Sequence, residues 1–298
     1  MSKEVNASPD HISVYIAMSD RLVLYPHNVN STAVWDMEDD RSLGLLEGNT
    51  SQVRRASINK KTAVTTADSV NGFSTVRIWS LETMQCSANL TAITRSSAGR
   101  LLKDRLLLGY SYGPIKVWDI GGSTPVALMD LQGHTGTTWS IDASDTTNVA
   151  LAGSGDNTVR LWDLRTGQCV RVMDGHTNNI QSVSMDSACK TAVSGSDEET
   201  VKLWDLGTGQ CIETFDHGQM VDDVMMHESG SSFLSFGGGV VKAWATASGP
   251  DRPLLDADLS ALCDPNETFA GAASRDLSRV GVCFLNPDGD KIGLSSWR

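Results

Sequence analysis

Apolar and polar residues alternate in short segments that recur along the chain at nearly constant intervals. Five of them share one pattern: Ser-Thr-Ala-Val-Trp-Asp, Thr-Val-Arg-Ile-Trp-Ser, Pro-Ile-Lys-Val-Trp-Asp, Thr-Val-Arg-Leu-Trp-Asp and Thr-Val-Lys-Leu-Trp-Asp. The alternation and the β-branched residues mark each as a strand. Their tryptophans set the period: Trp35, Trp79, Trp118, Trp162, Trp204 and Trp244 are separated by 44, 39, 44, 42 and 40 residues. A further 40 residues falls on Phe284 in Val-Gly-Val-Cys-Phe, read as the aromatic-terminated strand of a seventh copy. The fourth copy parses completely. Gly133-His134 opens it, and strands at 138–143, 149–154, 159–162 and 169–173 are separated by Gly155-Asp156-Asn157 and Arg165-Thr166-Gly167-Gln168 turns. Gly175-His176 then starts the fifth copy, which ends at Trp204-Asp205. Four short antiparallel strands in about 42 residues, seven times over, predict an all-β closed radial array.

Gly-His at the start and Trp-Asp near the end of a repeat of this length resemble the WD40-repeat family of β-propellers. The resemblance covers residues 11–298 and is sharpest in copies four and five. It implies a seven-bladed WD40 β-propeller with four antiparallel strands per blade, forming one domain over 11–298 behind an N-terminal extension of residues 1–10. Copy one holds strands at about 11–17, 21–26, 31–36 and 42–47, and Lys291–Leu294 takes the fourth-strand slot of copy seven. The ends are therefore expected to close by lateral packing, without strand exchange.

Copy five contains His176, Ser194, Asp197 or Glu198, and Trp204, which together could pass for a nucleophilic triad. In WD40 relatives the matching positions instead form a buried chain from indole N–H to Ser hydroxyl to His ring to turn carboxylate. Such a chain satisfies polar groups that are costly to bury and leaves no accessible nucleophile. Copy four repeats it as His134, Asp156 and Trp162, with Ala152 in the Ser slot. Copy two has Asn49 in the His slot, and copy six has His217 but Gly238 in place of the turn acid. Trp244 is accordingly expected to contribute mainly packing. No catalytic residue is assigned, and the chain is read as a non-enzyme.

Composition narrows the function further. The 298 residues carry a net charge of −12, so the surface repels a polyanion overall and general nucleic-acid binding is not expected. No stretch approaches the roughly 18 apolar residues of a membrane span. The first residues lack the pattern of a cleaved secretory signal, so a cytoplasmic location is expected, with the nucleus as the alternative. The six cysteines form no C-x-x-C pair. Cys86, Cys169 and Cys211 each follow their tryptophan by seven residues, which spreads them over different blades. Neither metal nor cofactor is expected. Gly237-Gly238-Gly239 lacks the Lys and Ser/Thr of a phosphate loop, and no small-molecule substrate is foreseen.

Function is thus expected on the surface, as a scaffold or adaptor for a protein or peptide partner. In WD40 relatives the fourth-to-first and second-to-third loops share the face around the channel mouth. Five residues after the His slot the chain enters the innermost strand there, at Arg54, Trp139, Gln181 and Asp222. These differ in kind while sharing one frame, as a surface specialised for one partner would. A longer turn in copy two, Asp68-Ser69-Val70-Asn71-Gly72-Phe73, adds Val70 and Phe73 as a candidate recognition loop. Two alternatives accompany this reading. Copies four and five resemble propellers of F-box-type and ring-finger-type ubiquitin-ligase adaptors, which implies a substrate-recognition subunit, although no F-box or ring finger fits in the ten residues before the propeller. The cluster Arg95, Arg100, Lys103 and Arg105 supports a nucleic-acid- or ribosome-associated propeller.

Overall fold

The computed structural model describes residues 3–6, 17–19, 21–28, 30–49, 51–68, 73–94, 96–247, 254–258, 270–273, 280–284 and 291–295. Regular structure among them is β-strand. β1 (Lys3–Asn6) precedes a series of four-stranded antiparallel sheets whose strand order follows the chain. The first is β2 (Ala17–Met18), β3 (Leu22–Asn28), β4 (Ser31–Asp36) and β5 (Arg41–Glu47). The second is β6 (Val53–Ile58), β7 (Thr62–Asp68), β8 (Phe73–Ser80) and β9 (Gln85–Thr94). The third is β10 (Ser96–Leu101), β11 (Arg105–Tyr110), β12 (Ile115–Asp119) and β13 (Val126–Leu131). The fourth is β14 (Thr138–Ser144), β15 (Val149–Ser154), β16 (Val159–Asp163) and β17 (Gln168–Met173). The fifth is β18 (Ile180–Met185), β19 (Thr191–Ser196), β20 (Thr200–Asp205) and β21 (Cys211–Asp216). The sixth is β22 (Asp223–Met226), β23 (Ser232–Gly237), β24 (Val240–Ala245) and β25 (Leu255–Asp258).

The seventh sheet corrects two expectations. It runs β26 (Ala270–Ala273), β27 (Val280–Phe284), β28 (Lys291–Ser295) and then β1. Lys3 pairs with Leu294 and Asn6 with Lys291, so the fourth slot is filled by the start of the chain. Strand exchange therefore completes this sheet, and residues 3–6 of the supposed extension are built into it. Phe284 lies in the second strand, whereas Trp35, Trp79, Trp118, Trp162, Trp204 and Trp244 all lie in the third. Counting residues failed here because the segment from Asp258 to Ala270 is longer than the one from Asp216 to Asp223.

The chain divides into two compact units, Met1–Leu106 with Trp118–Ala127 and Leu262–Arg298, and Leu107–Val117 with Leu128–Ala261. In the first, Leu24, Val34 and Leu46 of the first sheet pack with Ile58, Ala63 and Trp79 of the second. In the second, Leu151, Val159, Leu161 and Met173 meet Ile180, Val183 and Trp204, and Val193, Val201 and Phe215 meet Val221, Phe233 and Trp244. Trp79, Trp204 and Trp244 thus fill the space against the preceding sheet, so these neighbouring sheets share one core. Glycine permits the approach in the second unit. A Cβ on Gly153 would lie 2.5 Å from Ile180 Cγ2, and one on Gly195 would lie 2.4 Å from Val221 Cγ1.

The ladder shifts by one residue just before Trp79, Trp162 and Trp204, which then face Cys86, Cys169 and Cys211 across the bulge. Each of these thiols donates to the carbonyl two residues on, in Ala88, Arg171 and Glu213. The repeated cysteine therefore sits beside the bulge, paired with its tryptophan, and the residue after it is the one the ladder skips. Cys86, Cys169, Cys189 and Cys211 are free thiols.

Candidate functional site

The chemistry that looks catalytic lies inside the sheets. Trp204 Nε1 donates to Ser194 Oγ at 2.8 Å, Ser194 Oγ lies 2.6 Å from His176 Nε2, and His176 Nδ1 lies 2.6 Å from Glu198 Oε1. Burial opposes ionisation of Glu198, but hydrogen bonds from Thr177, Thr200 and His176 outweigh it and hold the carboxyl at about 2. Burial also lowers the pKa of His176, more than Glu198 raises it. The network therefore assigns a neutral ring whose Nδ1–H donates to Glu198 and whose Nε2 accepts from Ser194. Of the two candidate acids, Glu198 is the one in the chain. Ser194 is fully buried, so no substrate reaches its hydroxyl.

Other sheets vary the chain. Trp244 Nε1 donates to Ser235 Oγ at 2.8 Å, and Ser235 Oγ lies 2.9 Å from His217 Nδ1. The His217 ring is reversed relative to His176, and its Nε2 faces the Gly237 carbonyl at 3.4 Å. A backbone oxygen thus stands in for the missing acid, and Trp244 does more than pack. In the second sheet, Trp79 Nε1 donates to Thr65 Oγ1, which donates to Asn49 Oδ1. In the fourth, His134 Nδ1 lies 2.9 Å from Asp156 Oδ2, and Trp162 Nε1 donates to the Gln132 carbonyl at 3.0 Å. Burial opposes ionisation of Asp156 too, but hydrogen bonds from His134, Thr158 and Thr135 hold its carboxyl far below the usual range. With Ala152 in the hydroxyl slot, Nε2 of the buried His134 side chain has no partner.

The surface of the second unit carries a different arrangement. Trp139 and Gln181 are second residues of their strands, and each is skipped by the pairing: Thr138 and Ser140 pair with β15, and Ile180 and Ser182 with β19. Each is the extra residue of a β-bulge, a device that re-aims a side chain away from the regular ladder. In the first unit, Arg54 stands in the same way between paired Val53 and Arg55. Around Trp139 and Gln181 a continuous strip can be followed. Thr137 Oγ1 donates to the Ser111 carbonyl, beside Tyr112 in the β11–β12 turn, and Gly155 N–H donates to the Thr137 carbonyl. The Cβ position of Gly155 lies 3.3 Å from Trp139 Nε1 and 3.1 Å from Asn179 Oδ1. Asn179 and Gln181 both donate to the Asp197 carboxylate, at 3.0 and 2.9 Å. Asp222 lies within the field of Asp197 and accepts from the Gly238 N–H. Burial, reinforced by Asp197, raises the Asp222 carboxyl to about 6 against that hydrogen bond. Two residues earlier in the chain, Met220 is 54% exposed, and Tyr112 at the other end is 81% exposed.

The family model described as "Nucleolar protein 10-like, N-terminal domain", a β-propeller, matches residues 78–244, more than half of the chain. The chain belongs to this family of WD40-type propellers. A chain in a crystal structure of the mitotic checkpoint complex superposes on all of it with a TM-score of 0.83, at 16% sequence identity and over 91% of its own length. That likeness shows the fold, a seven-bladed WD40 β-propeller. Eukaryotic translation initiation factor 3 subunit I of Aspergillus niger is 50% identical over 57 residues, 19% of this chain and 16% of the relative. The Aspergillus terreus protein of the same name is 34% identical over 90 residues, 29% of this chain and 24% of the relative. These alignments span less than a quarter of the relatives' length.

In the propeller's second unit, Trp139, Gln181 and Asp222 are thus brought onto one strip by blades four to six. Arg54 is exposed on blade two, in the other unit, and Phe73 at the start of β8 is 48% exposed. Val70 and Arg95 lie outside the described residues. Lys103 is exposed beside Asp104, 3.7 Å away. Sequence reasoning missed Tyr112, Met220 and Asn179, and named Asp197 only as a candidate turn acid, not as a partner of Gln181. A signal for the first was available: an aromatic in the Ser-Tyr-Gly turn stands where copy four has Gly-Asp-Asn.

Proposed function

We propose that this WD40 propeller is a non-enzymatic interaction platform, an adaptor that holds a protein or peptide segment on the strip from Tyr112 through Trp139 and Gln181 to Asp222. The observation that carries the reading is the exposure of Tyr112 at the edge of a hydrogen-bonded, continuous surface. An exposed aromatic on a rigid turn is the side chain on which binding energy concentrates. The test is capture from native extract with wild type and with Tyr112→Ala plus Trp139→Ala, folding being checked by circular dichroism. The platform reading expects the double variant to lose partners while keeping its fold; a folded variant with a full set of partners refutes it.

A second reading, association with ribosomal particles, is favoured by relatives named for the nucleolus and for translation initiation. Those names also favour a nuclear or cytoplasmic site of action. Arg100, Lys103 and Arg105 in the first unit are the basic residues it would draw on, and salt-dependent retention on heparin that falls in Lys103→Ala would support it. The ubiquitin-ligase alternative rests on the resemblance of copies four and five alone.

A further inference from the structure

Resting on the platform reading, the chemistry of the strip selects among peptides. Its apolar contacts come from both ends: Tyr112 is exposed on one side, Met220 on the other, and Trp139 is partly exposed between them. Between the last two lie Asp197 and Asp222. Asp222 accepts one backbone N–H, from Gly238, and lies in the field of a second carboxylate, Asp197; among the described residues no lysine or arginine pairs with either acid. Asp197 is held by two neutral amides, Asn179 and Gln181. A face that sets two carboxylates beside apolar side chains complements a positive side chain and repels an acidic one. A second copy of this chain, at −12, is a poor occupant by the same argument.

We propose that the strip takes an extended peptide of a different protein, one that places a lysine or arginine side chain against Asp222 and Asp197 with flanking apolar side chains on Met220 and on Trp139 and Tyr112. The cation would replace carboxylate–carboxylate repulsion with a pair of opposite charges in a partly dehydrated setting, where such a pair is worth more than on an open rim. The bulge at Gln181 serves this arrangement, because its amide keeps Asp197 turned towards the strip.

The probe is a random heptapeptide library displayed on phage, selected on the full chain, with the enriched peptides then measured by fluorescence polarisation. Enrichment of Lys or Arg beside an aromatic or aliphatic residue is expected. Affinity should fall about tenfold or more in Asp222→Asn and in Tyr112→Ala, yet less than about twofold in Glu82→Gln, which removes the same charge from an exposed turn. Selection on Asp222→Lys should turn the preference towards acidic peptides. Neutral or acidic peptides on the wild type, equal losses in Asp222→Asn and Glu82→Gln, or a selection that yields no binder overturn the inference. If binding depends on Tyr112 and Trp139 but not on Asp222, the platform reading survives and the cation does not. If it depends on none of the three, both fall.

Discussion

Ser194→Ala and its mirror image Ala152→Ser test the reading of the buried chains, because one protein holds both states. Ser194 and Ala152 occupy the same ladder position, opposite Lys202 and Arg160. Removing Ser194 Oγ deprives Trp204 Nε1 of an acceptor at 2.8 Å and His176 Nε2 of a donor at 2.6 Å. Left entirely unpaired in the core, two such groups would cost about 2–6 kcal/mol. Blade four shows how far that can relax. There Trp162 has turned to the Gln132 carbonyl, while His134 Nε2 stays without a partner. The equivalent carbonyl for Trp204 is that of Asp174, so one orphan, the His176 nitrogen, should remain. The expected loss for Ser194→Ala is therefore about 1–3 kcal/mol. Ala152→Ser supplies the missing partner to His134 and should gain less, about 0.5–1 kcal/mol, because the slot has partly closed. The His134 and Trp162 ring centroids are 5.3 Å apart, against 6.0 Å for His176 and Trp204. Urea titrations followed by tryptophan fluorescence give both values, provided the slope of the transition is unchanged. A Ser194→Ala variant as stable as wild type, or an Ala152→Ser variant that loses more than about 1 kcal/mol, would falsify the equivalence of the two slots.

Three further outcomes follow from the same geometry. Trp244→Ala should cost as much as Trp204→Ala, about 3–5 kcal/mol each, since Trp244 also donates to a buried serine and lies between Phe215 and Phe233; urea midpoints separated by more than a third of the larger shift would contradict this. Gly195→Ala should destabilise by about 1–3 kcal/mol, because its Cβ would meet Val221 at 2.4 Å and Val224 at 2.9 Å; Gly195→Ala with Val221→Ala should recover part of the loss in a thermal melt, and no recovery would count against the packing account. The Asp222 carboxyl is raised to about 6 in the folded chain, so the native state binds the proton more tightly than the unfolded state and this group's contribution to stability is lost as pH rises from about 4 to 6. Asp222→Asn should therefore be more stable than wild type at pH 7, by about 1–2 kcal/mol after allowing for partial exposure, and equal to it below about pH 4; a gain that persists at low pH would show a different cause.

The strands and turns of copy four were legible in the chain itself. A strand declares itself by alternation over five or six residues, and a hairpin by the Gly, Asp and Asn between two such runs. The third strands, the phased tryptophans and the turns of copies four to six all follow from contacts within about 45 residues of sequence. The same locality explains the phase of Cys86, Cys169 and Cys211, each facing its own tryptophan across a bulge. The completion of the last sheet was not legible. Lys3–Asn6 and Lys291–Leu294 pair from opposite ends of the chain, and neither segment carries a mark of the other, because a ladder is made by backbone groups that every residue shares. Side-chain choice at the turn acid was undecided for a related reason: Asp197 and Glu198 are adjacent, and only the closed blade sends one inward to His176 and the other to Gln181. The frame shared by Trp139, Gln181 and Asp222 was visible as a count. That Tyr112 and Met220 flank it, and that Asp222 lies half-buried in the field of Asp197, depends on loops from different blades meeting in space. Exposure and charge environment belong to neighbours, and neighbours are decided by tertiary packing; the repeat itself, with its strands, anchors and turns, was already written in the sequence.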